Sequence, residues 1–124
     1  MAERLATRRW VVVEDAFSIS VLARDGVRIF VVRGELDELA AREFDDLIDG
    51  CPDGLPVIID LSELTFVSSA AILALLRERH TKTALVCPPG NVMRLFEIVR
   101  ANRRVPVFED MDTTLDGLAP FCAA

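Results

Sequence analysis

The stretch that decides the fold is VIIDLSELTFVSSAAILALL, residues 57–76. It opens on three β-branched apolar residues, which are typical of a strand buried on both faces. A polar run beginning at Asp60 interrupts the strand, and Phe66-Val67 is expected to return to the interior. Ser68-Ser69 then precedes an Ala-, Ile- and Leu-rich segment that is typical of a helix. The pattern predicts a strand, a polar connection, and two hydroxyl groups at a helix start, where unpaired N–H groups favour anions.

The residues before this stretch predict a hairpin and a helix. Residues 17–22 alternate between apolar and polar side chains, as a half-buried strand does. Asp25-Gly26 predicts a tight hairpin to a second strand over 27–32. Apolar residues at helical spacing predict an amphipathic helix over 38–51, with Asp37 as its N-cap.

The residues after it predict further strands and helices in alternation. Ile72, Leu75 and Leu76 are expected to form the packed face of the second helix. A strand over 83–87 follows. Asn91 is expected to cap a third helix that buries Val92, Leu95, Phe96 and Val99. A short strand over 105–108 is placed at the sheet edge, because Pro106 cannot donate a ladder hydrogen bond. A fourth helix contains Leu115, Leu118 and Ala119.

This order of elements predicts an α/β fold. We expect a mixed β-sheet of about five strands with about four helices packed on it. Residues 17–124 are expected to form a single domain, and residues 1–16 an N-terminal tail or arm. Within that tail, residues 10–13 are apolar and predict either a short added strand or a packed arm.

Composition excludes several classes of function. A chain of 124 residues fits one domain. The net charge of −6 argues against direct nucleic-acid binding, which requires a basic face. No apolar run approaches the roughly 20 residues that span a membrane, so the protein is expected not to be membrane-embedded. Three scattered cysteines indicate a reducing cytoplasm, and with the single His80 they form no recognisable metal site. No cofactor-binding loop is present either.

Two short motifs resemble those of STAS domains, the family of bacterial anti-sigma factor antagonists and their relatives. The first is Asp-Leu-Ser at 60–62 with Phe-Val-x-Ser at 66–69. The second is Gly34-Glu35-Leu36-Asp37, where a strand passes into the first helix. The motifs occur in the family's order and at a family-like separation, and the predicted elements fit from 17 to 121. The resemblance implies a STAS-like mixed sheet.

The resemblance also implies the site residues. Ser69 occupies the position of the family's phosphorylated serine, and Ser68 is the less favoured candidate. The residues implied to bind a partner are Ser68, Ser69, Asp37, Asp60, Ser62 and Ala71. Where the usual form reads Phe-Val-Asp-Ser-Ser/Thr-Gly, this chain has Ser68 in place of the aspartate and Ala71 in place of the glycine.

Each of these residues also has an ordinary structural interpretation. Either Ser68 or Ser69 can simply cap the second helix, and capping or turn formation is expected for Asp37 and Asp60. The acidic residues over 35–53 can bind a metal or a basic partner, although a solvated helix face explains them better. No nucleophile-elbow pattern surrounds any serine, so the protein is expected not to be an enzyme.

The function that the resemblance implies is that of a cytoplasmic anti-sigma factor antagonist. Its unphosphorylated form would bind an anti-sigma factor of the serine-kinase type and release the sigma factor. Phosphorylation at Ser69 would end that binding, and a serine phosphatase would restore it. The alternative is a STAS-like soluble subunit of a lipid-transport ABC system, which braces an ATPase without phosphorylation.

Overall fold

Alternating strands and helices account for most of the chain in a computed structural model. The structure describes residues 9–13, 16–24, 26–50, 55–77 and 82–122, with side chains over 16–24, 26–50, 55–77 and 82–117. The elements follow one another in this order: β1 Arg9–Val13, β2 Phe17–Arg24, β3 Val27–Leu36, α1 Glu38–Asp49, β4 Val57–Val67, α2 Ser69–Leu75, β5 Thr83–Val86, α3 Asn91–Ile98, a 3-10 helix Ala101–Arg103, β6 Val107–Phe108 and α4 Met111–Cys122.

The strands form one mixed sheet in chain order, β1 to β6. β2 is antiparallel to both of its neighbours, β1 and β3, and β3 to β6 run parallel to one another. The mixed sheet with four α-helices is confirmed, and the five strands from β2 to β6 are those that the sequence predicts. β1 adds a sixth strand at the edge, which is the first of the two alternatives for the N-terminal arm. At the opposite edge lies β6, as expected, but it begins only after Pro106 and is two residues shorter than the predicted strand over 105–108.

The predicted hairpin joins β2 to β3. Arg24 and Val27 face each other across its end, and Gly26 has a φ of 80°, in the region that favours glycine. Asp25 lies outside the described residues.

The strand β4 is longer than the sequence indicates. The polar run from Asp60 was expected to be a connection, but it continues the strand as far as Val67. Between Asp60 and Glu63, and again just before Phe66, β4 uses one more residue than β3 does. Such extra residues are β-bulges, which let polar residues remain in a strand while the regular alternation of faces is interrupted.

The bulges decide which side chains of β4 reach the core. Leu61, Leu64 and Val67 are buried, at a spacing of three residues instead of two. Phe66 is therefore 50% exposed, and the expectation that it returns to the interior is wrong.

The helices cover the two faces of the sheet unequally. α1, α2 and α3 pack on one face, where their apolar residues join a single large core cluster that includes Phe44, Leu75 and Phe96. α4 packs on the other face, where Met111 and Leu115 contact a smaller cluster around Ile29 and Ile58. The predicted inner residues of α1 and α2 are confirmed; Cys51, at the end of the first predicted helix, lies outside the described residues.

Helix α3 departs from its prediction in two ways. Asn91 is its first residue and Gly90 precedes it as N-cap, with no side-chain cap hydrogen bond, so the expected Asn91 cap is wrong. Phe96 is buried, but Leu95 and Val99 are exposed and are not core residues. Val92 and Met93 are partly buried against the same core cluster as Phe96, so these three residues form the inner side of α3.

An exposed ion pair joins the ends of α1 and α2. The Arg77 guanidinium donates to both carboxylate oxygens of Asp49 at 2.9 and 3.0 Å, and Asp45 lies 3.6 Å away. The hydrogen bonds that Arg77 donates to Asp49, and the charge of Asp45, raise the pKa of Arg77. Because the pair is solvent-exposed, it adds little to stability. No helix among the described residues is long and apolar enough to cross a membrane.

Candidate functional site

The two sequence motifs meet at one edge of the sheet. β3 and β4 are parallel, so Leu36 and Val67 end them side by side. The backbone amide of Ser68 donates a hydrogen bond to the Leu36 carbonyl oxygen at 3.0 Å. The start of α2 is thereby fixed against the residue that precedes Asp37.

Two side chains of this edge act as helix caps. The Asp37 carboxylate accepts a hydrogen bond from the Ala40 amide at 2.9 Å, at the start of α1. The Ser68 hydroxyl oxygen accepts one from the Ala71 amide at 3.1 Å, at the start of α2. Each cap satisfies a backbone donor that the first helical turn leaves unpaired. The structure thus gives Ser68 the capping role that the sequence left open between two serines.

Ser69 is left with an accessible hydroxyl group. It is the first residue of α2 and is exposed. Among the described residues, no side-chain hydrogen bond of Ser69 is formed. Leu73 lies one turn further along the same side of α2 and is 72% exposed. An exposed leucine of this degree beside a free hydroxyl group offers apolar area to a partner without disturbing the core.

Further apolar side chains are exposed at the same edge. Leu39 lies in the first turn of α1, two residues after Asp37, and Phe66 lies at the end of β4, directly before Val67. We call these four exposed residues near the carboxyl ends of β3 and β4, Leu39, Phe66, Ser69 and Leu73, the partner face. Its rim is acidic, because Glu35, Asp37 and Glu38 are all exposed there.

The sequence did not identify the three apolar members of the partner face. For Leu73 a signal was present, since it stands four residues after Ser69 in a helix whose other large residues face inward. For Phe66 the signal was misleading, because the alternation of strand residues is interrupted by a bulge. Leu39 precedes two alanines that supply the buried side of α1.

Asp60 and Ser62 form a local pair inside β4. One Asp60 carboxylate oxygen accepts hydrogen bonds from both the backbone amide, at 2.9 Å, and the hydroxyl of Ser62. Asp60 therefore stabilises a β-bulge, and the expectation that it closes the strand is wrong. Of the predicted site residues, Asp37, Ser68 and Ser69 are brought together at the edge. Within the described hydrogen bonds, none links the Asp60–Ser62 pair to them.

Ala71 does not contribute its side chain to the surface. It is 0% exposed and belongs to the core cluster beneath α2. The expectation of a direct contact between Ala71 and a partner is therefore corrected. Its Cβ points into the protein, and only its neighbours on the outer side of α2 are accessible.

Other chemical groups lie away from this edge or are inert. Burial of Cys87, and secondarily the charge of Asp60, raises the pKa of the thiol to about 11, so it is not a thiolate nucleophile at neutral pH. A groove of about 270 Å³ between α3 and β6 is lined by Met93, Phe96, Glu97, Asn102 and Val107, none of them a predicted site residue. The described residues contain no group of three His, Cys, Asp or Glu side chains suited to a metal ion.

Comparisons with known proteins agree with this architecture. The chain is similar in structure to an anti-sigma factor antagonist from Mycobacterium paratuberculosis, with a TM-score of 0.72 and 22% identity, over 88% of this chain and 99% of that one. It is also similar to the anti-sigma factor antagonist SpoIIAA in its unphosphorylated form, with a TM-score of 0.58 and 17% identity, over 85% of this chain and 98% of that one. The phosphorylated form of the Bacillus protein gives a TM-score of 0.55 and 18% identity, over 83% and 99%.

The sequence comparisons assign the family. Comparison with curated protein sequences gives no match. The family model of the STAS domain matches residues 18–114, which include both motifs and all of the partner face. The chain therefore belongs to the STAS domain family.

Proposed function

We propose that this protein is a cytoplasmic anti-sigma factor antagonist that acts by partner switching. In this proposal the unphosphorylated protein binds an anti-sigma factor of the serine-kinase type through the partner face, and a sigma factor is released. Phosphorylation of Ser69 ends the binding, and a serine phosphatase restores it. The protein is then a binding module whose chemistry is performed by its partners.

The observation that carries the proposal is the position of Ser69. Its side chain is exposed, Ser68 performs the capping, and Leu73 presents apolar area one turn away. A kinase can thus reach the hydroxyl without unfolding α2. The similarity of the fold to anti-sigma factor antagonists supports the choice of partner class.

The surroundings of Ser69 explain how a phosphate would act. A phosphoserine carries a charge of about −1.5 to −2. Glu35, Asp37 and Glu38 already make the rim acidic, and a bound partner would have to desolvate the new charge beside Leu73. The fold would tolerate the charge, because the first turn of a helix favours anions. Phosphorylation would therefore act on the interface and leave the fold in place.

The test uses a negative charge at two equivalent positions. Immobilised wild type, Ser69→Ala, Ser69→Glu and Asn91→Glu are compared for capture of a purified serine-kinase anti-sigma factor from the source organism. Asn91 is the matched control, because it is the exposed first residue of α3 as Ser69 is of α2. We expect Ser69→Glu to lose at least about tenfold in affinity by repulsion and desolvation. The other two variants should bind as the wild type does.

Equal binding by Ser69→Glu and wild type would remove Ser69 from the mechanism. The alternative function would be favoured if wild type and Ser69→Glu bound an ATPase of a lipid-transport system equally well. That role requires the apolar surface but no phosphoserine.

A further inference from the structure

A second exposed apolar surface lies on α3. Leu95, Ile98 and Val99 are exposed, and their spacing of three and four residues places them side by side on the helix. Ile98 is 69% exposed, nearly as much as Leu73. Neighbouring apolar side chains in this number are a feature of interaction sites, whereas single exposed ones are common.

Four exposed arginines flank these side chains in the sequence. Arg94, Arg100, Arg103 and Arg104 are exposed, and the segment 94–104 contains a single acid, Glu97. Its net charge is therefore +3 within a chain of −6. Over the described ranges, none of the four guanidinium groups has a carboxylate partner. We call the three apolar residues and the four arginines together the α3 patch.

The backbone keeps the positive charges next to the apolar residues. Arg100 has a φ of 56°, in the left-handed region where glycine usually ends a helix. Its amide donates a hydrogen bond to the Glu97 carbonyl oxygen at 3.1 Å. The 3-10 helix follows directly, and the Arg103 amide donates to the Arg100 carbonyl oxygen, also at 3.1 Å. The chain thus turns tightly at the end of α3, and three arginines follow directly on Ile98 and Val99.

The charge around the two apolar surfaces differs in sign. The partner face has an acidic rim, whereas the α3 patch has a basic one. A surface that combines aliphatic side chains with arginines is complementary to an anionic lipid interface, where the apolar groups enter the headgroup region and the arginines meet phosphates. The partner face lacks this complementarity.

Two other acidic occupants fit less well. A nucleic acid would use the arginines, but the α3 patch offers no exposed aromatic ring for base stacking, and its three aliphatic side chains would stay uncovered. A second copy could present the acidic side of α1. However, two carboxylates of α1, those of Asp45 and Asp49, already form ion pairs with Arg77. In addition, Leu39 is the one large apolar residue exposed on α1, so α1 offers little apolar area to cover the α3 patch.

We propose that the α3 patch binds reversibly to the surface of an anionic lipid membrane. Helix α3 begins after the carboxyl end of β5 and leads back to the start of the parallel strand β6. Ile98 and the arginines after it therefore lie towards the amino ends of the parallel strands, whereas Ser69 follows the carboxyl end of β4. A membrane-bound molecule keeps its partner face accessible to other proteins. The proposal does not depend on the partner-switching function.

The experiment is vesicle co-sedimentation of the full chain. Vesicles of phosphatidylcholine with phosphatidylglycerol are compared with pure phosphatidylcholine, at low and at high salt. The variants are Ile98→Ser, with Leu73→Ser as control of equal exposure, and Arg103→Glu, with Arg42→Glu on α1 as a control of equal charge change. We expect binding to the anionic vesicles alone, weakened by salt. Ile98→Ser and Arg103→Glu should each reduce it by about tenfold or more, and the controls should not.

Three results would overturn the proposal. They are the absence of binding to anionic vesicles, equal binding to both kinds of vesicle, and a loss that is the same for Leu73→Ser as for Ile98→Ser. Preferential binding of a single-stranded DNA oligonucleotide, or a concentration-dependent dimer abolished by Arg103→Glu, would assign the patch to a different occupant. Unchanged thermal midpoints of all four variants establish that any loss of binding comes from the surface.

Discussion

Gly34 lies directly against the carbonyl group of Ala16, so that a Cβ atom on Gly34 would overlap the Ala16 oxygen. The same oxygen accepts a hydrogen bond from the Glu35 amide at 2.9 Å, and Gly34 has a φ of 91°. This contact aligns the end of β3, where the Leu36 carbonyl oxygen accepts a hydrogen bond from the Ser68 amide. The glycine of the first motif thus supports the edge on which the second motif lies.

Replacing Gly34 by alanine should destabilise the fold strongly. The new Cβ meets backbone atoms that cannot move aside easily, and φ is unfavourable for any L side chain. We expect Gly34→Ala to lower the free energy of unfolding by about 3 kcal/mol, measured by urea denaturation. Gly50→Ala is the control, because its Cβ would make ordinary contacts with the end of α1, and a change within about 0.5 kcal/mol is expected. Equal losses in both variants would contradict this explanation.

Ser68 and Ser69 should respond differently to alanine. Ser68 caps α2 through the Ala71 amide, so Ser68→Ala should lower the free energy of unfolding by about 1 kcal/mol. Ser69 is exposed, and Ser69→Ala should change the free energy by less than about 0.5 kcal/mol. Urea unfolding of the two variants side by side measures the difference. A larger loss for Ser69→Ala would show that the capping assignment is reversed.

The sequence predicted the order of strands and helices because the signals concerned are local. The hairpin at Gly26 and the Asp37 cap each depend on a few neighbouring residues, and both occur as predicted. The exposure of Phe66 was missed because β-bulges depend on how β4 pairs with β3, which no short stretch encodes. The exposure of Leu95 was missed for a related reason, since it depends on how α3 is oriented on the core, with Met93 and Phe96 on its inner side.

The candidate site was predicted only in part. The motif located Ser69 and Ser68 at a helix start, but it could not assign the cap to one of them, because both have the same hydroxyl group. It also implied that Ala71 binds a partner, whereas the orientation of α2 on the core turns Ala71 inward and Leu73 outward. That orientation is set by packing against α1 and the sheet, and so by residues far away in the sequence.

Cys87 should make stability depend on pH in the alkaline range. Burial raises its pKa to about 11 in the native state, against an ordinary value of 9.0. Below pH 9 both states hold the proton, and between about 9 and 11 the unfolded state alone releases it. Native stability should therefore fall as pH rises through this window, by up to roughly 2 to 3 kcal/mol.

The variant Cys87→Ala isolates this effect from other groups that titrate there. The free energy of unfolding is measured by urea denaturation for wild type and Cys87→Ala at intervals from pH 8 to 11. The difference between the two proteins should narrow or reverse as the pH rises. Parallel curves would mean that Cys87 ionises normally.

The last prediction concerns the two departures from the family motif. The single oxygen of Ser68 is engaged by the Ala71 amide. An aspartate at 68 could cap with one carboxylate oxygen and keep the other for the Ser69 hydroxyl, the group that attacks ATP in our proposal. Phosphoryl transfer depends heavily on such positioning. We therefore expect Ser68→Asp to increase the rate of Ser69 phosphorylation by a STAS-directed serine kinase, by about tenfold or more. Incorporated phosphate should map to Ser69.

Ala71→Gly supplies the contrast, because the two departures should not be equivalent. The Ala71 Cβ is fully buried, so it cannot hinder a kinase that approaches from outside. Glycine there should lower the free energy of unfolding by about 1 kcal/mol and leave the phosphorylation rate nearly unchanged. The double variant should then match Ser68→Asp in rate and Ala71→Gly in stability. If the rate rises only when glycine is present, the inner side of α2 must open during phosphorylation. If wild type already matches Ser68→Asp, the serine at 68 has no effect on the reaction.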